Sequence, residues 1–337
     1  MKKFKRIFAV FFCLLLAAGI LGGCGKAASS SAPAPSALQS GNKPLKIVTT
    51  IFPEYDWVRE ILGDKADHAE VTMLLDNGVD LHSYQPTADD IIKISACDLF
   101  IYVGGESDGW VEDALKEATN QNMKVINLLD VLGEQVKEEE VVEGMEGEEE
   151  EEADEEEGPE YDEHVWLSVK NAGTLCNAIT DALEEIDPAN KDAYAANAAS
   201  YLEKLAALDG EYQTVVDNAA QKTVLFGDRF PFRYLVDDYG LSYYAAFAGC
   251  SAETEASFET ISFLAGKVDE LGLPCVLTIE GAQHKIAETI VQNTAEKNQS
   301  ILTLDSMQST TSTDVANGTT YLSVMESNLD VLKQALT

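Results

Sequence analysis

Four histidines occur in 337 residues, His68, His82, His164 and His284, so each invites a chemical reason. His82 lies in DNGVDLHSYQPTADDI, just past an apolar run, and His164 lies in YDEHVWLSV, where a long acidic stretch gives way to apolar residues. Asp305, in SILTLDSMQS, ends another apolar run. Imidazole nitrogens combined with a carboxylate oxygen make a ligand set suited to Zn²⁺ or Mn²⁺. A solitary histidine more often serves as a hydrogen-bonded core or surface residue, and His68 and His284 read that way. His284, following TIEG near a helix start, is nevertheless placed to approach the same cleft. Marks of catalysis are few: there is no HExxH and no GxxxxGK[ST], and GDRF at 227–230 has no activated nucleophile beside it, which leaves a metal-dependent hydrolase without support.

These residues need elements that end in one place. From Leu45, short apolar runs alternate with amphipathic segments. LKIVTTI, AEVTMLL, DLFIYVGG and KVINLLDVL read as strands, with PEYDWVREIL, TADDIIKIS and GWVEDALKEATNQ as helices among them. Pro53 opens the first helix and Thr87 caps the second. After residue 220 the pattern returns, with KTVLFGD, LSYYAAF, PCVLTIEG and QSILTLDS as strands. ASFETISFLAGKVDELG keeps Phe258, Ile261, Leu264, Val268 and Leu271 on one helical face and stops at Gly272, and TYLSVMESNLDVLKQAL closes the chain as a last helix. Between the two halves, PANKDAYAANAASYLEKLAALDGEYQTVVDNAAQ favours one long helix. The expected fold is α/β: two parallel-sheet β/α lobes, residues 45–170 and 222–337, joined through a helical segment over 171–221, with a binding cleft between them. Ligands of open α/β sheets sit beyond the carboxyl ends of strands, where His82, His164 and Asp305 all fall.

The N-terminus has basic residues, an apolar core from Ile7 to Ile20 and then small residues, the layout of a secretory signal rather than a spanning helix. Leu21-Gly22-Gly23-Cys24 has the form of a bacterial lipobox, with Cys24 as the lipidated residue. Residues 1–24 are therefore expected to be a signal peptide and 25–44 a flexible Ser/Ala/Pro tether. The folded part is expected outside the cytoplasm, lipid-anchored to the cell membrane, as a monomer. Such a setting permits disulfides. Of Cys97, Cys176, Cys250 and Cys275, the last two adjoin strands of the same half, and a bridge between them is one reading; four small buried apolar side chains are the other. Of 59 acids, 18 lie between Glu134 and Glu163, and a formal charge of −36 offers nucleic acid no basic footprint. The acid run repels itself, so 134–162 is expected to be a disordered insert, acting as a weak cation collector or as a solvated spacer.

VTTIFPEYDWVREI, GVDLHSYQPTADDI, ACDLFIYVGGESDGWVE, DEHVWLSV, YLVDDYGL with ETEAS, and LDS follow one another along the chain. Together they resemble, from about residue 45 to the end, the zinc/manganese-type substrate-binding lipoproteins of bacterial ABC importers. The resemblance implies two lobes bridged by a rigid helix and a divalent transition metal, Zn²⁺ first and Mn²⁺ next, as the transported ligand. It also implies an ABC permease as partner and no enzymatic step. It implies one histidine in each of the first two motifs, a third histidine or a glutamate opening the second lobe, and an acid near the end. His82, His164 and Asp305 match three of these, while Arg229 stands at the remaining position. A guanidinium has no lone pair for a cation. Asp228, Glu280 or water is left to complete the shell, and a carboxylate-rich outcome favours Mn²⁺. Arg229 is then available to pair with Asp305 or Glu280. A second reading keeps the two lobes and lets Arg229 clamp a chelated metal or a carboxylate-bearing solute. Cell adhesion is compatible with the lipid anchor and has no motif of its own here.

Overall fold

Eight apolar runs become strands in two groups of four. β1 (Leu45–Thr49), β2 (Ala69–Met73), β3 (Leu99–Tyr102) and β4 (Lys124–Asn127) form one sheet in the order β2-β1-β3-β4. β5 (Thr223–Phe230), β6 (Ser242–Ala248), β7 (Cys275–Thr278) and β8 (Ser300–Thr303) form the other in the order β6-β5-β7-β8. Every pairing is parallel. Parallel strands need helical crossovers that cover both faces, which is why these runs are rich in Val, Ile and Leu without strict alternation. Each sheet is wound outward from a central strand, leaving a crevice at its carboxyl edge between β1 and β3, and between β5 and β7. The computed structural model describes residues 43–146, 160–251, 255–281 and 283–337. The signal peptide, Cys24 and the tether as far as residue 42 lie outside the described residues.

The crossovers of the first sheet use α1 (Phe52–Leu62), α2 (Ala88–Ser95), α3 (Val111–Lys116) and α4 (Leu128–Leu132). LLDVL, read from sequence as the tail of a strand, winds into α4 because the Asn127 side chain accepts the Asp130 N–H and starts a helix there. The linking segment is two helices, α5 (Val169–Ile186) and α6 (Lys191–Asn218), packed side by side. α6 has 28 residues, about 42 Å at 1.5 Å each. It buries Tyr194, Ala198, Tyr201, Leu205, Leu208, Tyr212 and Val216, a narrow seam at spacings of three and four. The second half adds α7 (Arg233–Tyr239), α8 (Phe258–Leu271), α9 (Lys285–Asn293), α10 (Ser312–Ala316) and α11 (Tyr321–Ala335). In α8, Ile261, Leu264 and Val268 are buried as expected, whereas Phe258, the first helical residue, is exposed. α11 returns to the first half: the Tyr321 N–H donates to Asp56 at 2.9 Å, and its ring meets Trp57 edge-on at 5.2 Å. No helix among the described residues is long and apolar enough to cross a membrane.

The disorder expected over 134–162 gives way at both ends of that stretch to defined contacts. Lys137 donates its backbone N–H to Tyr234 Oη at 3.0 Å, and Glu140 pairs with Arg233. Glu146 donates its N–H to the Ala246 carbonyl at 2.9 Å, bridging onto β6, an edge strand. Basic and hydroxyl groups of α7 thus offset acids that repel one another in an isolated chain. Residues 147–159, which hold most of the acid run, lie outside the described residues.

The possible Cys250–Cys275 bridge does not form; all four described cysteines are free thiols. Cys275 begins β7, while Cys250 lies past the carboxyl end of the parallel strand β6. The two are at opposite edges of one sheet, beyond disulfide reach.

Candidate metal centre

His82 sits on a short turn, Leu81–Ser83, that follows β2. Asp80 holds the turn: its Oδ1 accepts the His82 N–H at 3.0 Å, and its Oδ2 pairs with Arg229. The ring Nδ1 lies 2.8 Å from Ser107 Oγ and 3.4 Å from Glu163 Oε2. Burial, and then the neighbouring His164, pushes the His82 imidazole down to about 3, so the ring is neutral at ordinary pH.

His164 heads the turn Val165–Leu167, and all three residues of that turn are fully buried. Trp166 donates Nε1–H to the Ser306 carbonyl at 2.9 Å and its own carbonyl accepts Tyr321 Oη–H at 2.8 Å, so the turn is pinned by the second half of the chain. Asp162 Oδ1 accepts both the backbone N–H and the ring Nδ1–H of His164, each at 2.9 Å. An ionised carboxylate only accepts, so the ring proton is held on Nδ1 and Nε2 keeps its lone pair. Gly249 lets the loop after β6 come close: a Cβ there would meet His164 Cε1 at 3.0 Å.

The two Nε2 atoms face each other at 3.1 Å. Asp162 turns the lone pair of His164 Nε2 toward this point, and the Ser107 hydroxyl, which can donate or accept, lets His82 Nε2 either donate to that lone pair or present its own beside a cation. Nitrogens bound to a tetrahedral zinc at about 2.0–2.1 Å stand roughly 3.3–3.4 Å apart, close to this separation. Cys250 joins them: ligand atoms of His82, His164 and Cys250 all lie within 4.8 Å of one another. His82 and Cys250, with Ser107, Tyr161 and Glu163, line a cavity of about 220 Å³, and His164 lies buried beside them. Burial pushes the Cys250 thiol well above its ordinary range, with Glu139, Asp162 and Glu163 adding to the effect.

The other expected ligands are outside this group. Asp305 Oδ1 accepts the Met307 N–H at 2.8 Å, and burial, reinforced by Glu280, pushes its carboxyl up to about 6. Glu280 fastens the turn after β8, accepting from Ser306 N–H at 2.7 Å, Ser306 Oγ at 2.8 Å and Gln308 N–H at 3.0 Å. Asp228 accepts the N–H groups of Arg229 at 3.0 Å and Ile279 at 3.4 Å. Arg229 pairs with Asp80, and not with Asp305 or Glu280, because the register of β5 slips between Phe226 and Arg229 and re-aims the strand end. Asp228, Arg229 and His284 line a separate cavity of about 880 Å³. His68 is exposed on the surface. Residues 105–109, GESDG, carry the GxSxG spelling of serine hydrolases. Ser107 and Glu163 both lie on the Nδ1 side of His82, so no proton relay runs across the ring. Cys250 was legible in principle, since GCS follows a strand end as GVDLHS does, but no partner in sequence marks it.

Two parallel-sheet lobes, a long linking helix and a buried imidazole pair past the strand ends define a metal-binding substrate receptor. Comparison with known proteins gives the same class and narrows it. The model of the family described as zinc-uptake complex component A, periplasmic (ZnuA) matches residues 47–335, and the chain belongs to that family, one of receptors and not of enzymes. It is similar to the zinc-binding lipoprotein AdcA of Streptococcus pneumoniae, 33% identical over 294 residues that cover 86% of this chain and 55% of the relative. The chain thus spans about half the length of that protein. It is 31% identical over 337 residues to the high-affinity zinc uptake system protein ZnuA of Bacillus subtilis, covering 99% of this chain and 98% of the relative. Among solved structures, the Zn(II)-bound ZnuA-like domain of S. pneumoniae AdcA matches with a TM-score of 0.68 at 31% identity, covering 87% of this chain and 99% of that one. The metal-dependent lipoprotein YcdH of B. subtilis matches at 0.69 and 28%, covering 87% and 100%.

Proposed function

We propose that the protein is an extracytoplasmic receptor, lipid-anchored through Cys24, that captures zinc as its transported ligand and delivers it to an ABC permease. One observation carries the reading: the two Nε2 atoms converge at 3.1 Å, one ring held by Asp162 and the other by Ser107. Imidazole pairs suit zinc, whereas manganese prefers oxygen-rich shells, and the carboxylates that would supply oxygen, Asp228 and Glu280, are engaged with backbone N–H groups. Manganese is therefore the second ion. The names of the relatives, zinc-binding and zinc uptake proteins, support the order.

The test is a titration of chelator-stripped protein with Zn²⁺ and Mn²⁺ against a competing chelating indicator. One tight zinc site is expected, weakened at least about tenfold, or 1.4 kcal/mol, by His82→Ala and by His164→Ala. Wild-type affinity in both variants would remove the imidazole pair from the site and end the proposal. Incorporation of labelled fatty acid, lost in Cys24→Ala, tests the anchor.

A further inference from the structure

We infer that Cys250 is the third protein ligand of the metal site, bound as a thiolate, and that it makes the receptor selective for thiophilic, borderline-soft cations such as zinc. The inference rests on the receptor reading above and adds to it the residue that decides which ions the site accepts.

Geometry comes first. The Cys250 sulfur lies within 4.8 Å of a ligand nitrogen on each histidine, and no other cysteine or carboxylate among the described residues joins that pair. In the second sheet β6 is hydrogen-bonded directly to β5, with Arg229 opposite Phe247 and Phe230 opposite Ala248. A side chain two residues past Ala248 therefore reaches the same carboxyl edge as one at the end of β5. Arg229, which cannot ligate, is paired away with Asp80. The ligand has in effect moved one strand over, from the end of β5 to the loop after β6. Gly249 makes the move possible, because any side chain there would collide with the Phe230 carbonyl at 2.9 Å and crowd His164.

Burial and the carboxylates of Glu139, Asp162 and Glu163 favour the neutral thiol while no cation is bound, so the thiolate forms together with the metal bond. The backbone N–H of Cys250 is held by Glu139 Oε1 at 3.1 Å, which fixes the loop, and a backbone N–H of Glu163 is directed at the sulfur. Glu163 Oε2 is buried 3.4 Å from His82 Nδ1 without a hydrogen bond, and belongs to a residue lining the same cavity as Cys250 and His82. An unpartnered buried carboxylate oxygen is stabilised by positive charge nearby. The binding step balances simply: the Sγ–H bond breaks, its proton leaves to solvent, and the sulfur lone pair forms the bond to Zn²⁺, with no change of oxidation state. A His₂Cys set favours zinc and disfavours Mn²⁺, Mg²⁺ and Ca²⁺, which prefer oxygen.

X-ray absorption of the zinc-loaded wild-type protein, with indicator-competition affinities for wild type, Cys250→Ser and Cys250→His, tests this. One sulfur at about 2.3 Å beside nitrogens at about 2.0–2.1 Å is expected, and should be missing from both variants. Cys250→Ser should lose at least about tenfold in zinc affinity and narrow the preference for Zn²⁺ over Mn²⁺; Cys250→His should recover affinity without the sulfur signal. Zinc should also protect Cys250 from alkylation in the folded protein, where Cys97, Cys176 and Cys275 are buried. A tight wild-type site with a shell of nitrogen and oxygen only, and with Cys250→Ser unchanged, overturns the inference and leaves the receptor reading standing. A wild-type protein that takes up no zinc overturns both.

Discussion

Asp162 is predicted to control zinc affinity without touching the ion. It is 2% exposed, and a single oxygen accepts two donors of His164, the backbone N–H and Nδ1–H, both at 2.9 Å. Asp162→Ala removes both contacts. The backbone N–H, buried with a fully buried residue, then loses its partner, a cost to stability of about 1–3 kcal/mol. The imidazole loses the charged acceptor that keeps its proton on Nδ1, so part of the population carries the proton on Nε2 and must give it up to bind. Removing such a partner from a ligating histidine weakens metal binding about 10–100-fold, or roughly 1.4–2.7 kcal/mol. Asp162→Asn keeps an accepting oxygen and loses the charge, and should fall near the lower bound. Indicator competition measures the affinity, and urea unfolding of the same preparations shows whether each variant is folded. A folded Asp162→Ala protein that binds zinc within about threefold of wild type would refute the orienting role, and with it the tautomer argument for the site.

Arg229→Ala should destabilise the fold by about 1–2 kcal/mol in urea at pH 7, because its partner Asp80 is mostly buried. Burial acts to raise the Asp80 carboxyl, but Arg229 outweighs it and holds the group below its ordinary range. The pair therefore contributes above the unfolded carboxyl pKa and is lost as pH falls through the depressed folded value, so the difference between wild type and variant should shrink in strong acid. Gly249→Ala, whose Cβ would press on His164 at 3.0 Å, should cost about tenfold in zinc affinity, whereas Gly266→Ala, open on α8, should leave affinity unchanged; equal behaviour of the two would discount the packing argument. Glu54 is fully buried, and burial pushes its carboxyl up to about 8 from 4.5. The folded form therefore holds this proton more tightly and loses stability as pH rises from the unfolded value through the folded one, by at most about 5 kcal/mol. Glu54→Gln should flatten the decline in unfolding free energy between pH 5.5 and 8.5, and an unchanged slope would assign the decline to other groups.

The two sheets were readable because each strand is a short Val/Ile/Leu run followed by a helix with its own start signal, such as Thr87 or Pro53. His82 and His164 were readable as residues placed after such runs. The third member of the cluster was not, because its place depends on how β6 lies beside β5 and on a glycine that lets the loop approach, neither of which leaves a local pattern. Arg229 illustrates the same limit: its chemistry excluded it as a ligand, but its partner Asp80 lies 149 residues away on the opposite sheet's loop. Asp228 and Glu280 stand at strand ends as ligands do, and only the folded turns show that backbone N–H groups already occupy them.

The segment from Lys137 to Glu146 meets β6 through the bridge at Glu146, and its Glu139 accepts the amide of a residue synthesised 111 positions later. At about 5–20 residues per second, it waits on the order of 6–20 s for its partner to be made. Residues 137–139 pair meanwhile with 160–162, while the later part of the segment and, once made, the edge strand β6 are open to pairing with other chains. Acids at positions 138, 139, 140, 143 and 146 act during that wait as gatekeepers, since charge discourages pairing between copies. Cutting the chain between its halves would leave β6 uncovered for good, so fragments of the second half should aggregate where the whole chain stays soluble.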